Sequence, residues 1–209
     1  LCDNYEAFIY EIDKNNEILR FFPTVSGINI QKTDDNTYLY NRVHDSYSAV
    51  EVDQFGEILW QLPNLSDHIE IYKLTNNQYL ISDKNNKSIT LYDKDKTIIW
   101  QIKDKFTPYT IQPLADNLFL VVNQTDNSII EINQNGDILW KCHLSDDEII
   151  AARKISDDKY VIAQRFGTVI FLNRKGKILK KLKLMNYISN ITVLPDGNIG
   201  VVGEKLQQN

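Results

Sequence analysis

Three histidines, a lone glutamate among polar strand positions and a group of aromatic side chains are the residues of this 209-residue chain best equipped for chemistry. Imidazoles bind zinc or exchange protons near neutral pH. A zinc site needs three or four ligands about 2.0–2.3 Å from the ion. His44 and His68 lie close in sequence, but His143 follows His68 by 75 residues, so solvated loop histidines are the plainer reading and no metal is expected. Glycoside hydrolysis asks for two carboxylates roughly 5–10 Å apart, and Glu70 has no companion at equivalent positions. Tyr47, Tyr109, Arg165 and Phe166, with Phe106 and Tyr187, mix aromatic faces with polar tips. Such side chains stack on sugars or seat a protein partner. The sequence contains no GxSxG, phosphate-binding loop, HExxH or GxGxxG, so hydrolase, nucleotide and metalloprotease chemistry lacks a foothold.

The elements that position these residues repeat. Ile58-Leu59-Trp60 returns as Ile98-Ile99-Trp100 and Ile138-Leu139-Trp140, a spacing of 40. The same step reaches Ile18-Leu19-Arg20 and Ile178-Leu179-Lys180. Residues 69–102 show one unit: Ile69 to Tyr72 alternates apolar and polar as a strand does, and Thr75 to Gln78 is turn chemistry. Tyr79-Leu80-Ile81, Ile89 to Tyr92 and Ile98 to Ile102 follow as further strands. The hairpin between the third and fourth strands carries Asn16, Gly56, Lys96, Gly136 and Gly176, mostly residues that accept positive φ. Three positions earlier stand Asp13, Asp53, Asp93, Asn133 and Asn173, whose short side chains bond the turn backbone. Ser145-Asp146-Asp147-Glu148 imitates a helix capping box, but its place in the repeat makes it loop and first strand.

Four-stranded units at this period predict an all-β fold: a five-bladed β-propeller of four-stranded antiparallel blades in one domain spanning 1–209. The blades are expected near 28–62, 69–102, 109–142 and 149–182. Residues 188–205 supply a first and second strand and residues 7–20 a third and fourth, so N- and C-terminal strands share the fifth blade and close the ring. Closure removes the sheet edges that invite aggregation. First strands would line a central channel, with Asn29, Glu70, Thr110, Ala151 and Asn190 in one layer. Gln31, Tyr72, Gln112, Arg153 and Thr192 form the next.

The Trp falls in the fourth strand, after the turn of Val52-Asp53-Gln54-Phe55-Gly56-Glu57-Ile58-Leu59-Trp60, and not in the third as in WD40 repeats. That pattern resembles the repeat of quinoprotein-type (PQQ-like) propellers and is also similar to arylsulfotransferase-like propellers. The resemblance implies that Trp60, Trp100 and Trp140 dock neighbouring blades, while Arg20 and Lys180 depart from it. It does not carry over the quinoprotein cofactor site, because the adjacent cysteines are missing, so no cofactor is expected. No histidine sits in a motif that would make it catalytic.

The resulting expectation is a non-catalytic binding or scaffold module, taking a protein or carbohydrate partner on a loop-rich face at His44, Tyr47, His68, Tyr109, Arg165 and Phe166. Glu70, Tyr72, Gln112 and Arg153 would offer a polar site in the channel. The alternative is an enzyme of arylsulfotransferase or cyclotransferase type, with Glu70, Arg153 or a loop histidine at the channel mouth. Bulk composition agrees with a globular domain, with 43% hydrophobic and 24% charged residues, and a monomer is expected. A net charge of −5 argues against nucleic acid, and no apolar run reaches the ~18 residues of a membrane span. Cys2 and Cys142 form no CxxC, which favours two free thiols over a disulfide. A chain beginning at Leu1 fits a removed export signal and a periplasmic or secreted setting.

Overall fold

In the computed structural model the described residues are 7–12, 17–24, 30–43, 47–144, 147–194 and 196–204. Cys2, Asp13, Asn16, Asn29 and His44 lie outside them. The chain forms two compact units, residues 1–85 with 89–101 and residues 86–88 with 102–209.

The first unit carries β1 (Ala7–Ile12), β2 (Ile18–Thr24), β3 (Ile30–Lys32), β4 (Tyr38–Val43), β5 (Tyr47–Val52) and β6 (Ile58–Leu65). It also holds β7 (Ile69–Leu74), β8 (Gln78–Asp83) and nearly all of β9 (Ser88–Tyr92) and β10 (Ile98–Lys103). The second carries β11 (Pro108–Pro113), β12 (Phe119–Asn123), β13 (Ser128–Ile132), β14 (Ile138–His143) and β15 (Ile149–Ser156). It continues with β16 (Lys159–Gln164), β17 (Thr168–Asn173), β18 (Ile178–Lys183), β19 (Tyr187–Val193) and β20 (Ile199–Glu204). Strands β3–β6, β7–β10, β11–β14 and β15–β18 form four antiparallel meanders of four strands each. Strands β1 and β2 pair with each other, as do β19 and β20. Among the described residues no helix follows the capping-box look-alike; its apolar sequel is β15.

The repeated turn chemistry is realised atom by atom. Asp53 Oδ1 accepts from the amides of Phe55 (2.8 Å) and Glu57 (2.9 Å). Asp93 does the same for Asp95 and Thr97, Asn133 for Asn135 and Asp137, and Asn173 for Lys175 and Lys177. Gly56, Gly136 and Gly176 take φ of 89°, 75° and 78° at the turn position, where Lys96 adopts 68° at a steric cost.

The hairpins after Glu51, Glu131 and Phe171 also contain a bulge. The register slips between Glu51 and Val52, so Val52 faces Ile58 while Glu51 faces Trp60, and Leu59 is the extra residue. The same slip follows Glu11, Glu131 and Phe171. The inserted residue breaks the in–out alternation, which leaves Ile58 and Leu59 both exposed while Trp60 turns inward. Middle strands are buried on both faces: every residue of β12 and β13 is buried.

Cores form between sheets. In the first unit Leu39, Ala49 and Trp60 pack with Ile69, Ile71, Tyr79 and Ile81 of the following sheet. In the second, Leu120, Val122 and Ile129 meet Ile149, Ala152, Tyr160 and Ile170. Ile150, Val161 and Val169 meet Ile188 and Ile191. Trp60 stacks on Tyr79 at 3.8 Å and Trp140 on Tyr160 at 4.4 Å. The tryptophan thus bridges sheets, and burying one contributes about 2–3 kcal/mol by area.

Candidate functional site

The second unit gathers an ordered polar–aromatic cluster from four chain segments. The loop after β16 carries Arg165, Phe166 and Gly167; the loop before β15 carries Asp147 and Glu148; β11 brings Tyr109 and β19 opens with Tyr187. The Arg165 Nε donates to Glu148 Oε2, and its Nη1 donates to the Tyr187 hydroxyl at 3.0 Å. The guanidinium also lies 5.7 Å from the Tyr187 ring centroid, within cation–π range. Gln124 Nε2 donates to the other carboxylate oxygen of Glu148 at 2.6 Å. The Glu148 bond raises the already high Arg165 pKa. At Tyr109 burial pushes the phenol upward against the opposing pull of Arg165.

The loop backbone is fixed as firmly. Arg165 and Ile188 are joined by an amide–carbonyl bond of 2.9 Å, and the Arg165 amide donates to Glu148 O at 2.8 Å. Asp147 Oδ2 accepts from the Phe166 amide at 2.8 Å. Gly167 holds φ +79°, and a Cβ there would sit 1.9 Å from the Met185 carbonyl oxygen, so the turn requires glycine. On this tethered turn the Phe166 side chain is 62% exposed. A large apolar ring held outward on a rigid loop can insert into a partner with little entropy left to lose.

The other expected positions are placed separately. In the first unit Tyr47 opens β5 and is half-buried, and His68 is exposed, its Nδ1 3.6 Å from Asp67 Oδ1. Glu70 is buried at 6% exposure and accepts from the Tyr72 hydroxyl at 3.2 Å. In the second unit Gln112 bridges first strands: its Oε1 accepts from the Lys154 amide at 2.7 Å. Arg153 is buried, with Nη1 donating to Ala152 O at 2.9 Å. His143 ends β14 and is exposed. Cys142 carries a free, half-buried thiol whose pKa burial pushes up. Among the described residues no group of three His, Cys, Asp or Glu is arranged to hold a metal.

Of the residues singled out from the sequence, Tyr109, Arg165, Phe166 and Tyr187 come together here, and Asp147 and Glu148, which anchor the loop, were not among them. Two buried networks were missed as well. Glu131, 1% exposed, accepts from Lys154 Nζ (2.9 Å), the Tyr160 hydroxyl (2.8 Å) and Arg174 Nη1 (2.5 Å). Glu51 accepts from Lys73 Nζ (2.8 Å) and the Tyr79 hydroxyl (2.6 Å), and Lys73 is also bound by Asp35. Glu11 takes Lys32 and Tyr38 likewise. The signal was available: Glu11, Glu51 and Glu131 share one repeat column, and each pairs with a Lys six residues before a Tyr.

No family model matches the sequence, and no curated protein matches it. Among solved structures the chain is similar to the WD40 β-propeller domain of Doa1 (16% identity, TM-score 0.64), covering 86% of this chain and 60% of that one. It is similar to BamB from Moraxella catarrhalis at 17% identity and TM-score 0.60, covering 93% of this chain and 60% of that one. Streptogramin B lyase aligns at 13% identity and TM-score 0.65, over 97% of this chain and 77% of that chain. At such identities the likeness defines the fold: an all-β chain of antiparallel meanders, of the β-propeller type. The chain spans about three fifths of the Doa1 and BamB chains it matches.

Proposed function

We propose that this chain is a non-catalytic binding or scaffold module of five blades, with its N- and C-terminal strands completing one blade. It would recognise a protein or glycan partner on its loop face, around Phe166 and Arg165. The quinoprotein-type repeat is the version of the propeller that its tryptophan placement favours. The observation carrying the reading is Phe166, a largely exposed ring on a turn fixed by Asp147, Gly167 and the Arg165–Glu148 pair. Protein-binding propellers such as WD40 domains lend the same direction by likeness of fold alone.

The test separates binding from packing. The chain is screened against a glycan panel and a displayed random-peptide library, and each binder is measured again on Phe166→Ala. Loss of at least tenfold in affinity with unchanged thermal unfolding is expected, since surface substitutions typically move stability by less than about 0.5 kcal/mol. Binders indifferent to Phe166→Ala would place recognition elsewhere. Arg165→Ala is the wrong probe, because it strands Glu148 and perturbs the loop itself.

A further inference from the structure

Asn135-Gly136 is the single Asn-Gly step in the chain. It lies at the tip of the hairpin between β13 and β14, where Gly136 holds φ +75°. The corresponding turns read Phe55-Gly56, Asp95-Lys96 and Lys175-Gly176, none of which sets a carboxamide before glycine. Glycine matters because its missing side chain leaves the amide nitrogen open to a close approach. That nitrogen and the Asn135 Cγ are separated by three covalently linked atoms, so joining them closes a five-membered ring.

The carboxamide of Asn135 is free to react. Asn133 commits its own side chain to the turn: Oδ1 accepts from the amides of Asn135 and Asp137, and Nδ2 donates to Asp137 Oδ2 at 2.9 Å. The exposed Asn135 side chain makes no hydrogen bond among the described residues. The main chain is activated at the same point. Lys105 Nζ donates at 2.7 Å to Asn135 O, the carbonyl of the peptide whose nitrogen is the nucleophile. A cation there stabilises the anion left when that amide loses its proton. The Gly136 amide also donates to Asn133 O at 3.0 Å, a bond that has to open first and that makes the folded turn slower than a free peptide. The chain's one Asp-Gly step lacks these features. Asp196 Oδ1 accepts from the Asn198 amide and Oδ2 from Asn198 Nδ2, and these bonds hold the carboxyl ionised, which makes it a poor electrophile.

We propose that Asn135 is a site of self-modification, converted through a succinimide to isoaspartate, and that Lys105 promotes the step. Hydroxide takes the Gly136 amide proton, and the nitrogen attacks Asn135 Cγ. A C–N bond forms, the Cγ–Nδ2 bond breaks, and Nδ2 takes a proton from water and leaves as ammonia. Water then opens the ring at the main-chain carbonyl carbon, giving isoaspartate, or at Cγ, giving aspartate. Either product adds a negative charge beside Lys105. Isoaspartate also lengthens the main chain by one carbon inside the turn. That displaces the Gly136 bond to Asn133 and disturbs the register that sets Glu131 opposite Trp140, the two residues that meet Tyr160 of the next sheet. The site does not involve Phe166, and so goes beyond the loop-face reading.

The whole chain is incubated in warm, mildly alkaline buffer, digested in mild acid and mapped by mass spectrometry, with isoaspartate labelled by an isoaspartyl methyltransferase. The one-dalton gain and the label are expected at Asn135 at least tenfold faster than at any other asparagine. Asn135→Gln should remove both, because its ring would have to be six-membered. Lys105→Gln should slow the reaction at least threefold at unchanged thermal unfolding. The aged parent chain should unfold at a lower temperature than the fresh one, and aged Asn135→Gln should not. An Asn135 that stays intact, or a faster reaction at another asparagine, overturns the site. An unchanged rate in Lys105→Gln overturns the part given to Lys105, and isoaspartate at this position with unchanged unfolding overturns its effect on the register.

Discussion

At the residue scale, Glu131 shows how a buried charge is made tolerable. Burial pushes its carboxyl upward, but bonds from Lys154, Tyr160 and Arg174 outweigh that and hold it below its ordinary value of 4.5. The sign of the pH effect follows. The unfolded chain takes up this proton more readily than the folded one, so the contribution is fully present above the ordinary value and is lost as pH falls through the lowered one. Glu131→Gln should flatten the acid limb of a stability–pH profile below about pH 4.5, measured by thermal unfolding in a buffer series. Near neutral pH it should cost about 2–4 kcal/mol, because the cations lose their partner while Arg174 retains some access to water. An unchanged acid limb would show that other carboxylates govern it. The positive-φ residue at Lys96 belongs to the same scale: it is the exception in a column of Gly and Asn, yet it takes their conformation, which its side chain disfavours.

At the element scale, the Glu–Lys–Tyr network is a seam between successive sheets, and the repeat uses it or discards it as a unit. The column of Glu11, Glu51 and Glu131 reads Leu91 and Phe171 in the other two copies. The Lys column of Lys32, Lys73 and Lys154 reads Pro113 and Val193 there, and the Tyr column of Tyr38, Tyr79 and Tyr160 reads Phe119 and Ile199. All three positions are polar together or apolar together. Removing one member of a buried charged set is costly, whereas replacing the whole set by apolar groups is often close to neutral. Glu131→Leu alone should therefore cost about 3 kcal/mol, and Glu131→Leu/Lys154→Met/Tyr160→Phe should recover to within about 1 kcal/mol of the parent. Denaturant unfolding of the single, double and triple variants gives the coupling; additive losses would refute the seam as a unit. These columns were readable in the sequence beside the turn columns, because both recur at intervals of 39–41 residues. The bulge after Glu51 was not, since a one-residue slip leaves no residue type behind it. Nor was the Asp147–Phe166 clamp, which joins loops of no shared repeat position. The alternation in Ile69-Glu70-Ile71-Tyr72 gave the strand correctly but said nothing of Glu70's burial, because β7 is covered at that point on both faces.

At the scale of the whole molecule, the proposed module rests on ring closure. The described residues form four complete meanders, a two-stranded β1-β2 sheet and a two-stranded β19-β20 sheet. By repeat position β1 and β2 are third and fourth strands, while β19 and β20 are first and second. Each pair alone is a marginal sheet. Shared completion would convert two weak hairpins into one blade and remove both edges at once. A closed chain of 209 residues should have a radius of gyration of about 17 Å, measured by small-angle scattering at low concentration. An open arc of the same blades must give a distinctly larger value. Cysteines introduced at Arg20 and Tyr187 provide the second measurement, because ring closure brings the outer terminal hairpin and the last inner strands into one sheet. Their solvent protection should rise together and be lost together on unfolding. Independent loss at two denaturant concentrations would mean that the terminal hairpins never join.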